Sequence, residues 1–202
     1  MRALVLSPHT DDAELGMGAT IHRLRREGHD VRVVIFAEAP SPKLYWRPAQ
    51  ECSGALDRLG VDEVEFLGLG DTRLPDHRQF ILEHLFKLRS SHVCDVVFTP
   101  CRADVNQDHA TVTAEAVRAF RPWSIFGYHL PWNVAGEVRL DVAVPVTELD
   151  VEKKEEALAR YESQSHRPFF REGYARARAL SHGTEWGYAF AEVFECIRYR
   201  WF

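Results

Sequence analysis

The chain has 202 residues, a length that suits one domain with a substantial core, and its 46% hydrophobic and 27% charged residues are ordinary for a globular protein. A total of 25 Lys and Arg against 30 Asp and Glu leaves a formal net charge of −5, which argues against a nucleic-acid backbone or an anionic membrane as the main partner. Cys52, Cys94, Cys101 and Cys196 form no CxxC pair, no leader-like start precedes the first strand, and no apolar run could span a bilayer, so the expectation is a cytoplasmic protein with reduced thiols.

The apolar run Ala3–Leu6 reads as a buried first strand, followed by a helix from Leu15 to Glu27 that stops at Gly28. Val31–Phe36 is a second strand. A loop with Pro40, Pro42, Tyr45 and Trp46 leads to a helix from Pro48 to Leu59. Val64–Leu67 is a third strand with Gly68–Asp71 as its exit loop, and Arg78–Leu88 places its apolar residues at helical spacing. Val96–Thr99 is a fourth strand; the polar loop Arg102–His109 follows, then a helix from Ala110 to Phe120 and a fifth strand, Ile125–His129. Beyond it the alternation breaks into an edge strand over Val138–Val146, helices over Glu152–Tyr161 and Glu172–Leu180, and a last strand from Phe190 to Trp201. No repeat or linker is present, so residues 1–202 are expected to form a single domain.

Four strand–helix alternations predict an α/β fold, with a mostly parallel sheet between two helical layers and a C-terminal strand and helix extension. In the common order 3-2-1-4-5, ligands bind at the carboxyl ends of strands one and four. Two polar segments leave those ends: Ser7-Pro8-His9-Thr10-Asp11-Asp12 and Asp104–His109. His9, Asp12 and His109 together offer two imidazoles and a carboxylate, a set suited to zinc or another divalent cation with a position left open for water. Asp11 is placed to act as general base, and Asp108 is placed to orient the His109 ring. Such a constellation suits hydrolysis of an amide or ester.

The stretch Pro8-His9-Thr10-Asp11-Asp12-Ala13-Glu14-Leu15-Gly16 resembles the PHPDDxxxG motif of the PIG-L/LmbE family of zinc-dependent N-deacetylases, and Asn106-Gln107-Asp108-His109 resembles its HxDH. Lys154–Gln164 and Gly187–Phe194 continue the likeness in family order. The resemblance implies a Rossmann-like fold, with His9, Asp12 and His109 as zinc ligands and Asp11 as base. It also implies a small N-acetylated sugar or sugar conjugate as substrate. Thr10 stands where the motif has Pro. Asn106 stands where it has His; an amide there can donate to an oxyanion but cannot deliver a proton. Close alternatives are an amidase on a thiol-sugar conjugate and a catalytically altered, metal-bound carbohydrate-binding protein; a phosphoesterase is more distant.

Arg47, Asp71 and His129 are candidate substrate contacts at the same sheet edge, with His182, Arg73 and Arg102 behind them. Tyr45, Trp46, Trp123, Tyr128 and Trp132 are candidate sugar-stacking rings. Glu192 falls near a family site position but, on a strand, reads as solvated. Neither Gly16-x-Gly18 nor Gly68-x-Gly70 completes a dinucleotide-binding pattern. The loops 38–46 and 131–137 are expected to set specificity, and the apolar end Trp201-Phe202 is compatible with a homo-oligomer.

Overall fold

The structure is a computed structural model and describes residues 1–38, 48–91 and 94–201. β1 (Arg2–Ser7) is apolar almost throughout because both its faces are covered. Ala3 and Val5 enter one core, and Leu4 and Leu6 enter the other. β1 lies between β2 (Asp30–Glu38) and β4 (Val96–Pro100). β3 (Glu63–Gly70) flanks β2 and β5 (Ser124–Tyr128) flanks β4, and all these pairs are parallel. Among the described residues the sheet has seven strands in the order β3-β2-β1-β4-β5-β7-β6, so the expected 3-2-1-4-5 core is present. β7 (Phe190–Arg198) inserts antiparallel between β5 and the edge strand β6 (Val142–Val146), where Pro145 is tolerated.

α1 (Asp12–Arg26), α2 (Pro48–Arg58) and α5 (Glu148–Leu158) cover one face through Ile21, Leu24, Leu56 and Leu158. α3 (Arg78–Ser91) and α4 (Gln107–Ala119) cover the other through Ile81, Leu85, Val112 and Ala116. α6 (Tyr174–Trp186) buries Ala179 with Val146 and Val151, and is longer than its apolar pattern implied. Among the described residues, no helix is long and apolar enough to cross a membrane.

Three helices start earlier than their periodicity indicates: α1 at Asp12 rather than Leu15, and α4 and α5, each of these two because of a side-chain cap. The Asn106 side chain accepts the Asp108 amide at 2.9 Å, which draws Asp108 and His109 into the first turn of α4. α5 begins at Glu148 rather than Glu152 because Thr147 and Asp150 form a capping box.

α1 is broken at Met17 (φ −150°, ψ 25°). In an unbroken helix the Ala19 amide would bond to the Leu15 carbonyl. Here the carbonyl accepts Lys154 Nζ at 2.8 Å, and the amides of Ala19 and Thr20 donate to Glu192 at 3.3 and 2.7 Å. Lys154 and Glu192 are themselves paired at 2.6 Å, and both are buried. Glu192 is therefore not solvated; it satisfies donors that the kink sets free. Two glycines admit this packing: a Cβ on Gly16 would lie 2.4 Å from the Tyr128 ring, and one on Gly18 would lie 3.0 Å from Lys154.

Candidate metal centre

The turn after β1 is built by its own side chains. Ser7 Oγ donates to the His9 carbonyl (2.7 Å) and accepts the Ala13 amide (3.1 Å), and the His9 amide donates to Asp12 Oδ2 at 2.8 Å. The Thr10 carbonyl accepts the buried Tyr161 hydroxyl, so the turn is tied down without the proline of the motif. The same hydroxyl lies 2.6 Å from Glu14 Oε1, which accepts from it. Burial pushes the Glu14 carboxyl up to about 8, against the opposing pull of the Tyr161 hydroxyl.

The parallel pairing of β1 with β4 brings the two polar segments together. His9 Nδ1, Asp12 Oδ2 and His109 Nε2 form a triangle with sides of 3.2, 3.1 and 3.1 Å. Donors around a tetrahedral ion at about 2.0 Å lie about 3.3 Å apart, so the triangle fits a zinc-sized cation. The outer ring nitrogens support the same assignment. His9 Nε2 faces Asp108 at 3.0 Å and Asp71 at 3.2 Å, and His109 Nδ1 faces Asp104 at 2.7 Å. With hydrogens on the outer nitrogens, the inner ones turn their lone pairs toward one point.

Burial alone would lower both imidazole pKa values. Asp108, Asp12 and Asp71 outweigh it and push His9 up to about 12, and Asp12 and Asp104 push His109 up to about 9. Burial opposes ionisation of Asp12 too, yet His109 and His9 hold it well below the usual carboxylate range. Asp11 is pushed the other way, to about 6, by burial and by the charge of Asp12. No side-chain hydrogen bond engages the Asp11 carboxylate among the described residues.

Asp108 does not orient His109. It sits in the first turn of α4 facing the loop after β3, where it accepts the amides of Thr72 (2.8 Å) and Leu74 (3.1 Å) as well as His9. Thr72 is the one non-glycine residue of positive φ among those described, at 62°. Its carbonyl accepts Gln107 Nε2 at 2.6 Å, so both ends of this unfavourable conformation are held against α4. The partner of His109 is Asp104. Its position follows from a short zip between two loops: Asp104 bridges Val134, and the Val105 amide donates to the Asn133 carbonyl at 2.8 Å. Glu195, buried on β7, fixes the start of the same loop by accepting Arg102 Nε at 2.7 Å and the Arg102 amide at 2.8 Å.

The triangle opens into a polar cavity of about 310 Å³, whose walls include Asp11, Asp71, Asn106, Trp132 and Arg167. Asp71 reaches the cavity but is directed at His9, whose ring holds its carboxyl below the ordinary range. Asn106 uses its Oδ1 in the α4 cap, which leaves Nδ2 as the available donor. His129 does not line the cavity. It pairs with Arg178 at 3.3 Å, and burial, with Arg178 and His182 beside it, lowers its pKa to about 4. His182 lies in a small separate pocket with Arg178 and Glu192. Arg73 pairs with Asp76 at 2.7 Å, and Arg102 is taken by Glu195. Tyr128 is fully buried with its hydroxyl on the Leu6 carbonyl, and Trp123 packs on the α3/α4 side, so of the described candidate rings only Trp132 faces the cavity. Arg47, Tyr45 and Trp46 lie outside the described residues. Gln164, the last residue of the Lys154–Gln164 likeness, completes the wall with Arg167 and Phe169, which carry no periodic or motif signal.

A larger, mainly apolar cavity of about 680 Å³ lies at the opposite ends of the strands, between α1 and β6, and no ligand triangle forms there among the described residues.

Comparison with known proteins gives the family and the fold. Residues 4–120, more than half of the chain, match the PIG-L family, described as GlcNAc-PI de-N-acetylase. The uncharacterized deacetylase YaiS of Escherichia coli (strain K12) is 31% identical over 63% of this chain and 73% of its own length. Diacetylchitobiose deacetylase of Thermococcus kodakarensis is 31% identical over 39% of this chain, and the match spans 33% of that relative. The crystal structure of the conserved protein TT1542 from Thermus thermophilus superposes with a TM-score of 0.80 at 25% identity, covering 100% of this chain and 97% of that one. The chain belongs to the PIG-L family of de-N-acetylases.

Proposed function

We propose that this protein removes the acetyl group from a small N-acetylated sugar or sugar conjugate by zinc-dependent hydrolysis, as a single-domain enzyme. The observation that carries the reading is the His9–Asp12–His109 triangle with the unengaged Asp11 carboxylate beside it on the cavity wall. The similarity to a diacetylchitobiose deacetylase supports the substrate class. His9, Asp12 and His109 would hold the ion, and a bound dication supplies Lewis-acid polarisation of the acyl oxygen and a more acidic water.

The protein's own groups then have distinct tasks. Asp11, beside the ligand triangle on the cavity wall, takes a proton from the attacking water and returns it to the leaving amine. Asn106 Nδ2 donates to the developing oxyanion but holds no transferable proton, so Asp11 serves as both base and acid. Asp108 and Asp104 fix the two imidazole rings.

The test pairs metal content with acetate release from a panel of N-acetyl sugars. Wild type is expected to hold about one zinc per chain and to release acetate, with both lost in His109→Ala. A zinc-loaded wild type that releases no acetate from any sugar in the panel refutes the proposed activity.

A further inference from the structure

The cavity wall facing the ligand triangle is made by two loops. One follows β5 and carries Trp132; the other joins α5 to α6 and carries Gln164, Arg167 and Phe169. The Trp132 and Phe169 rings stack with centroids 3.9 Å apart at 10°, which locks the two loops together. The Arg167 guanidinium carbon lies 5.9 Å from the Phe169 ring centroid. The backbone beneath it is fixed as well: the Arg167 amide donates to the Gln164 carbonyl at 2.9 Å, and the Arg167 carbonyl accepts the Phe170 amide at 3.1 Å.

Arg167 is the single Arg or Lys among the described residues that line the cavity. No carboxylate lies within ion-pair distance of it among the described residues. By contrast, Arg78, Arg102 and Arg118 are each tied to a buried glutamate. It is close enough to Asp11 for its charge to draw that carboxyl's pKa downward, yet it makes no hydrogen bond to it. An exposed guanidinium held on an aromatic face, next to a catalytic cavity and without an internal counterion, presents its donor fork to whatever enters.

We infer that Arg167 is a specificity residue that docks an anionic substituent, a carboxylate or a phosphate, on the N-acylated sugar. This rests on the deacetylase reading for the sugar but not for the anion. The alternative is that Arg167 only adjusts the charge on Asp11 or the shape of the wall, and then neutral and anionic sugars respond alike.

The test is calorimetric binding to the zinc-loaded protein in an Asp11→Asn background, which slows turnover. The ligands are N-acetylglucosamine, its 1-phosphate, its 6-phosphate and N-acetylmuramic acid. At least one anionic sugar is expected to bind tenfold or more tightly than N-acetylglucosamine. Arg167→Gln removes that preference and Arg167→Lys keeps part of it, with zinc content and melting temperature unchanged. Whether the phosphates or the muramic acid carries the preference identifies the anion. Binding of every anionic sugar no tighter than the neutral one, or a preference that survives Arg167→Gln, overturns the inference. Acetate release from the same sugars by the Asp11 protein is a separate readout: an anion preference without acetate release refutes the deacetylase reading and leaves the role of Arg167 intact.

Discussion

The bond between Asp104 and His109 makes a quantitative test of how the metal centre is supported. Asp104 is buried and has two acceptor oxygens, each in use: Oδ2 faces His109 Nδ1 at 2.7 Å, and Oδ1 takes the Asn106 amide at 3.0 Å. Asp104→Asn keeps one acceptor for two donors and loses the negative charge. Asp104→Ala keeps neither, and the His109 ring is then free to carry its hydrogen on Nε2, the nitrogen that must be bare to bind a cation. Loss of such an outer partner costs about 10- to 100-fold in metal affinity, or about 1.4–2.7 kcal/mol. Asp104→Asn is expected near the lower end and Asp104→Ala near the upper, measured by competition with a chromophoric zinc chelator at constant pH. The surface variant Glu185→Gln, at the exposed end of α6 and outside the cavity wall, serves as control and is expected to match wild type. Affinity in Asp104→Ala within threefold of wild type would show that the 2.7 Å bond does not set the ring, and the reasoning fails.

Asp11→Asn is expected to reduce acetate release by about 10²- to 10⁴-fold while zinc content stays at the wild-type level; a parallel loss of zinc would make Asp11 a ligand rather than a base. Lys154→Met strands the buried Glu192 charge and orphans the Leu15 carbonyl, a change of about 3–5 kcal/mol that lowers the melting temperature by about 6–20 °C. A shift below 2 °C in a thermal scan contradicts the role given to the pair. His129 has a folded pKa of about 4, below its ordinary value of 6.5, so the unfolded chain binds more protons between those values. Its contribution to stability is complete above pH 6.5 and is lost as pH falls toward 4. Melting temperatures of wild type should therefore drop more steeply between pH 7 and 5 than those of His129→Gln, and identical slopes refute the assignment.

Much of the centre was legible because it depends on local order and on one topological rule. Strand-end turns carrying His9, Asp11 and Asp12 are visible as residues, and the 3-2-1-4-5 order alone brings His109 to them. The supporting shell was not legible, because each partner is chosen by contacts remote in sequence. Asp108 neighbours His109 in the chain, but a helical first turn points adjacent side chains in different directions, so it meets His9 and the loop after β3 instead. Asp104 meets His109 only because its loop zips to residues 133–135. Arg167 and Phe169 sit between helices, where neither a period of 3.6 nor one of 2 marks a wall residue. Thr147-Glu148-Leu149-Asp150, by contrast, was a readable helix start that apolar spacing alone overlooked.

The break in α1 also separates two mechanical demands. A straight helix is a rigid rod, and the direction of its first turn follows from how the remaining turns lie on the sheet. Here Asp12 must aim at a point shared with His109, whereas Ile21 and Leu24 must lie flat against the strands. The joint at Met17 divides the rod into a short aiming segment fixed to the end of β1 and a longer segment fixed to the sheet, clamped together by Lys154 and Glu192. The direction of the Asp12 turn is thus tied to the end of β1 and to the Lys154–Glu192 clamp, and not solely to how Ile21 and Leu24 lie on the sheet.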